Sequence, residues 1–446
     1  MWLRVRRYAV PPSMIENAAE RRRVGDWAGA CAAAGVDVDI SLRDVRRVYG
    51  KDLAARVRED LRSLVPDLLR WHLPRIAPDG LLRPGLTIPL SRYNGALWLV
   101  VRTPPAWADA GQRVGLALWD GTRTAARPDR RFRFDLHRHL WDARRGGELA
   151  VRAGAGPHPG QLPDLPHREW CAVDRWGEEA RLLLREEGRV EGTQGTEGTQ
   201  GAESSESGEG VVQVRVGRRR RVLLDTAEGG DGLRAEPGPL DPGLPVLPDA
   251  ATWVLPDLAL LRAGLIGAGE LHPLVGPVLV PDCQQDYRWV PAAEALDSGS
   301  GRPRYVDCRG ARHRIGLVDG VLAPLDHDPA ELRREELLVE LTGTPLPCLR
   351  VVDEAHRNPH CLSGVRERLD HGDVAGALAV VEGLLGPAAT LRSGALQEEL
   401  AEAARRRVAY GFFRAGIEEP GRDWTELSWH GWQWHPTPSG RTRSRR

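Results

Sequence analysis

Gly25-Asp26-Trp27-Ala28-Gly29-Ala30-Cys31-Ala32 returns near the other end of the chain as Gly372-Asp373-Val374-Ala375-Gly376-Ala377-Leu378-Ala379, the shared frame being Gly-Asp-x-Ala-Gly-Ala-x-Ala. Its chemistry is that of a helix start after a sharp turn. Glycine reverses the chain, aspartate caps the next helix, and the Ala/Gly run lets two antiparallel helices approach closely. An arginine-rich helical segment precedes each copy, at 20–24 and 365–371. Working outward, 13–74 reads as helical: Trp27, Cys31 and Ala34 share a face, and Val57, Leu61, Leu64, Val65 and Leu68 form a 3.6-residue stripe. Trp27 is expected in the core, against the helix carrying Ile15 and Ala18. At the far end, Val374, Leu378, Val381 and Leu385 line one helix face, and Leu396, Leu400, Ala404, Val408 and Phe412 another. Asp328-Pro329-Ala330-Glu331 supplies an N-cap, a proline at N1 and a glutamate at N3.

Each copy of the frame resembles a single tetratricopeptide-like helical hairpin. The copies are not in tandem and no ~34-residue period joins them, so a solenoid is not supported and two independent helix pairs remain. Between them the pattern changes to strands. The segment 88–120 contains the apolar run Ala96-Leu-Trp-Leu-Val-Val-Arg102, an alternating run at 113–119 and an Asp120-Gly121 turn. Arg131-Phe-Arg-Phe-Asp135 alternates as well, before a short helical stretch at 136–143, a proline-rich loop at 154–166 and a helix at 169–187. Segment 186–210, with its Glu-Gly-Thr-Gln-Gly repeat, lacks the apolar surface to offset ordering entropy and reads as a disordered acidic insertion. It interrupts what reads as one sheet, resumed by an alternating strand at 211–224. A Pro/Gly loop follows at 237–248, and Arg309-Gly310 and Asp319-Gly320 mark two hairpins. The expectation is an α+β fold: a helical part at 1–85, a mixed part at 86–185, the linker 186–210, a strand-rich part at 211–325, a helical part at 326–420, and a Trp-rich segment with basic tail at 421–446.

Composition narrows the function. The 446 residues, about two to four domains' worth, carry 62 basic and 62 acidic side chains, which excludes binding to nucleic acid or acidic membrane by bulk charge. The longest apolar candidate, 252–267, is broken by Pro256, Asp257 and Arg262, and the start lacks the apolar stretch of a signal peptide. Lys51 is the only lysine, the mark of a GC-rich coding sequence. Six scattered cysteines without a C-x-x-C pair read as free thiols of a cytoplasmic protein.

Several motifs invite chemistry. Asp353-Glu354-Ala355-His356 follows Leu349-Arg-Val-Val352 as a helicase-type acidic box follows a strand, but such a box serves a nucleotide held by a P-loop. The only lysine lies in Gly50-Lys51-Asp52, without the preceding glycine or following Ser/Thr, so the P-loop is absent, and Asp353 and Glu354 read as a helix start. Cys348, His356, His360, Cys361 and His371 are dense enough to suggest zinc. Their spacing fits no familiar finger, and Pro359 keeps His356 and His360 off one helical face, leaving a polar surface loop as the plainer reading. Cys308, with arginine neighbours and His313 across a hairpin turn, is the best thiol nucleophile candidate, against an ordinary strand cysteine. No G-x-S-x-G elbow occurs. For polyanions there are Arg218 and Arg220 on one strand face, the tail arginines Arg441 and Arg443, and Trp429, Trp432 and Trp434, which otherwise pin that segment to the helices.

Missing catalytic signatures and the two hairpins together point to a non-enzymatic interaction or adaptor protein with a protein partner, no membrane and no cofactor. The rival expectation is a nucleic-acid-binding or -processing protein using the Trp/Arg carboxy end and the loop 353–371.

Overall fold

The computed structural model describes residues 1–93, 97–121, 127–153, 168–188, 210–217, 220–226, 232–281, 304–343 and 345–417. The first hairpin is α1 (Pro12–Arg23) and α2 (Trp27–Ala33), followed by β1 (Val36–Val38), α3 (Leu42–Tyr49), α4 (Lys51–Ser63) and α5 (Pro66–His72). A ribbon of β2 (Arg75–Ile76) and β3 (Leu81–Leu82) leads into β4 (Thr87–Arg92), β5 (Trp98–Arg102) and β6 (Val114–Trp119). The sheet order is β1-β6-β5-β4, an antiparallel meander with β1 added parallel to β6. Leu61, Leu69, Ile88, Leu99, Leu116 and Trp141 are fully buried at its centre. Trp27 packs at the edge of this core and is only half-buried, because it opens α2 directly after the turn and so sits at the rim of the helix pair.

A second core forms where α6 (Val173–Glu186) lays Trp176, Leu183 and Leu184 on the sheet of β7 (Val211–Arg215), β8 (Arg220–Asp225) and β9 (Gly232–Pro237). Two expectations are corrected here. The run 211–224 is a hairpin of two strands rather than one, broken at Gly217. Nor is there one sheet to interrupt, since β4–β6 and β7–β9 belong to different ones; residues 189–209 of the acidic insertion lie outside the described residues. Likewise 131–135 forms turns instead of a strand. Phe132 and Phe134 are buried, but Arg133 folds back onto Asp135 at 2.8 Å and, among the described residues, no strand pairs with the segment. Helix α7 (Pro256–Arg262) then returns to complete the first core with Leu258 and Leu260.

The last third begins with a meander of β10 (Arg304–Cys308), β11 (Ala311–Val318) and β12 (Val321–Pro324). Both turns carry positive φ at both central residues, Arg309 and Gly310 in one, Asp319 and Gly320 in the other. Helices α8 (Pro329–Thr342), α9 (Pro347–Arg357), α10 (Leu362–Asp370), α11 (Val374–Leu385) and α12 (Ala395–Arg414) follow. Asp328 caps α8 by accepting from Ala330 N at 3.0 Å, as its sequence predicts. The run 349–352 is helical, contrary to its strand-like look. Pro347 starts α9, and Cys348, Val352 and His356, four apart, form its buried stripe. The architecture is α+β, and among the described residues no helix is long and apolar enough to cross a membrane.

Both copies of the opening frame form the same hairpin. Asp26 accepts from Gly29 N at 2.8 Å and from Arg21 at 2.9 Å; Asp373 accepts from Gly376 N at 2.9 Å and from Arg368. A Cβ on Gly29 or Gly376 would lie 2.0 or 2.2 Å from the capping carboxylate, which is why the frame carries glycine there. Ordinary helix propensity favours Gly→Ala by ~1 kcal/mol. Here Gly376→Ala displaces a cap worth ~1–2 kcal/mol, so chemical denaturation is expected to show a net loss of stability.

Beyond that shared geometry the surroundings differ. Gly25 (φ 78°) has open space around it, whereas a Cβ on Gly372 (φ 87°) would lie 1.8 Å from the Gly111 carbonyl oxygen. Beside that contact, fully buried Arg70 of α5 donates to three carbonyls: Ala9 O at 2.9 Å, His371 O at 3.1 Å and Gln112 O.

Candidate metal centre

The hairpin β10–β11 sets the first two groups. Cys308 pairs with Ala311 and Val306 with His313, so all four project from one face and Cys308 and His313 are diagonal neighbours. Beyond β12 the chain keeps running beside β11: Leu325 N donates to Arg314 O at 2.8 Å, and Arg314 N donates to Asp326 at 2.7 Å. That continuation brings the next residue, His327, back to His313. Helix α9 packs on the meander and delivers Cys348 from its first turn.

The four ligand atoms lie within 4.8 Å of one another. His313 Nδ1 is 2.7 Å from His327 Nε2 and 3.9 Å from Cys348 Sγ. Both cysteines are fully buried and His327 is nearly so. Burial, with the Cys308 thiol beside it, pushes the Cys348 thiol well above its ordinary range. Two buried thiols facing two imidazoles form the donor set that a dication neutralises. Tetrahedral zinc with ~2.3 Å to sulfur and ~2.0–2.1 Å to nitrogen fits a set of this type. At 2.7 Å the two ring nitrogens are in hydrogen-bond contact; a zinc held here would take a lone pair from each in place of that contact. Outside the four ligands, Glu331 stands 3.8 Å from His327 Nδ1, positioned to orient that ring, and Arg309 holds Glu331 at 2.6 Å.

Cys308 and His313 therefore do meet, but within a four-donor cluster. Cys348 belongs with them and not with the histidines that follow it in sequence. Those histidines and Cys361 are dispersed. His371 is buried, with Nδ1 against Glu367 O at 2.8 Å and Nε2 against Asp79 O at 3.0 Å, so neither ring nitrogen faces a metal. His356 is buried at the end of α9, where burial, aided by Arg392, lowers its pKa; only His360 lies on the surface. Cys361 packs into the α10–α11 core, and burial raises its thiol.

Asp353 and Glu354 occupy the later turns of α9, not its start. Glu354 is exposed. Against the upward push of burial, hydrogen bonds from Arg392 and Arg357 hold the Asp353 carboxyl below its ordinary range. Arg220 is exposed at the start of β8; Arg218, Trp429, Trp432, Trp434, Arg441 and Arg443 lie outside the described residues.

Sequence reasoning missed His327 altogether. Its signal was present but indirect: a histidine immediately before a strong N-cap, in a segment that two tight hairpins return to Cys308. No protein-family model, no curated protein and no solved structure matches this chain.

Proposed function

We propose that the chain is a zinc-stabilised protein-interaction module. The observation that carries the reading is the Cys308, His313, His327, Cys348 set, gathered from β10, β11, the segment after β12 and α9. With two sulfurs and two nitrogens from the chain itself, the tetrahedron is closed, which is the pattern of a structural zinc. A closed centre offers no position to a substrate, so the reading favours interaction over catalysis. Helix α8 spans the interval between His327 and Cys348, held by the metal at both ends. None of its described residues is buried, and Leu337 is 63 % exposed. A rigidly anchored helix that leaves leucine in water has the character of a docking element for another protein. Elemental analysis of the purified protein should find one zinc per chain, and X-ray absorption should show a shell of two sulfurs and two nitrogens. Absence of metal, or an oxygen-dominated shell, would overturn the reading.

A further inference from the structure

A second site lies far from the metal ligands in sequence, at the seam between the two large cores. There a cavity of about 370 Å³ opens between the short helix Trp2–Arg4, the end of α5, the turn segment at 132–134 and the start of α7. Its volume falls in the ~300–1,000 Å³ range of small-molecule sites, and such sites favour seams between packed units. The walls are aromatic: Trp2, Phe132, Phe134 and Trp253, with Trp170 at 45 % exposure. Trp2 is braced from behind by Trp71, ring centroids 5.5 Å apart, which fixes one wall. Ala259 lies on the wall of α7 and keeps the space open.

Two of the charged lining groups, Arg83 and Asp249, lie within electrostatic reach of each other. Arg83 lines the cavity, and among the described residues its guanidinium has no hydrogen-bond or ion-pair partner. Asp249 also lines it but is engaged by Arg131 at 3.2 Å, with Arg215 and Arg83 close enough to act on its charge. Arg131 in turn lies over the Phe132 ring at 4.8 Å. Three guanidiniums thus surround Asp249, with Asp129 the other carboxylate near Arg215, and the balance is positive. His72 adds no further positive charge: burial, with His272 and Arg75 nearby, lowers it to about 3. Arg75 is already committed to the carbonyls of Gly80 and Arg70. Of the two arginines that line the cavity, Arg83 is therefore the one whose side chain makes no hydrogen bond to the described residues, beside the aromatic walls.

We infer that this cavity binds a small organic anion, an aromatic or bulky apolar body carrying one carboxylate or sulfonate, with the anion on Arg83 and the body between Trp2, Phe134 and Trp253. An apolar body alone would leave the guanidinium unmatched, and a cation would meet it directly. A planar anion receives a charge-assisted pair from the guanidinium fork and stacking from the walls.

The test uses the full chain and two fluorescent probes of similar shape, anionic 1-anilinonaphthalene-8-sulfonate and neutral N-phenyl-1-naphthylamine. The anionic probe should bind with one site per chain. Arg83→Gln should weaken it about tenfold, the scale of one lost charge-assisted pair, and leave the neutral probe unchanged. Ala259→Trp, which fills the cavity, should abolish both without lowering the melting temperature; a variant of that position that fails to fold leaves the Arg83→Gln comparison to decide. No saturable binding, several equivalent sites per chain, or equal weakening of both probes by Arg83→Gln would overturn the inference.

Discussion

Stripping the metal, or replacing Cys348 with serine, is expected to unfold the β10–β12 meander while the amino-terminal core stays intact. The reason lies in how little the meander buries. Along its three strands only Cys308, Ile315 and Pro324 are buried, and the local core adds little beyond Leu346 and Cys348. Buried apolar side chains contribute ~1.5–3 kcal/mol each, against ~1–2 kcal/mol of backbone entropy for every residue ordered. Structural zinc, at ~10–16 kcal/mol apparent in small zinc-folded units, is large enough to reverse that balance. Amide hydrogen exchange read after chelation should show protection lost at 304–324 and kept at 53–73. Cys361→Ser, remote from the ligands, should change neither region. Full protection of 304–324 after complete removal of metal would refute the expectation.

Arg70→Met should be the most damaging substitution outside the metal ligands, lowering stability by roughly 3–5 kcal/mol. Arg70 is fully buried, and burial pulls its pKa down to about 10, so the fold carries a desolvated cation. It is held by carbonyls from three separate places: Ala9 ahead of α1, Gln112 before β6 and His371 in the carboxy-terminal hairpin turn. Methionine fills similar space but leaves those carbonyls without a donor, at ~1–3 kcal/mol for each buried group unsatisfied. Because His371 is one of the three, the loss should also loosen α10–α11 from the first core. Urea titration followed by tryptophan fluorescence and by exchange at 365–385 would register both effects; a shift below about 1 kcal/mol would show that water replaces the guanidinium.

What could be read from the chain beforehand divides by sequence distance. The hairpins, their capping aspartates, the Asp328 N-cap and the Arg309-Gly310 and Asp319-Gly320 turns are decided within a few residues, and each forms as read. The errors lie where partners are remote. The apolar, β-branched run Leu349-Arg350-Val351-Val352 looks like a strand, yet it is helical because Cys348 and Val352 find a buried face together. Phe132 and Phe134 alternate like a strand yet, among the described residues, pair with no strand. The four-donor cluster needed the meander, the return of the chain to His327 and the docking of α9 all at once, so proximity in sequence grouped Cys348 with histidines that lie elsewhere in the fold.

The two glycine turns have a consequence for how the chain can change over time. Gly25, in open space at positive φ, asks only for a residue that accepts the left-handed region, and asparagine is a workable replacement there. Gly372 faces the Gly111 backbone, and any side chain would force the carboxy-terminal hairpin away from the body of the protein. One eight-residue phrase thus has a tolerant copy and an intolerant copy. Drift can erode the repeat at the amino end while leaving it legible at the carboxy end, so related chains should be sought with the second copy as the query.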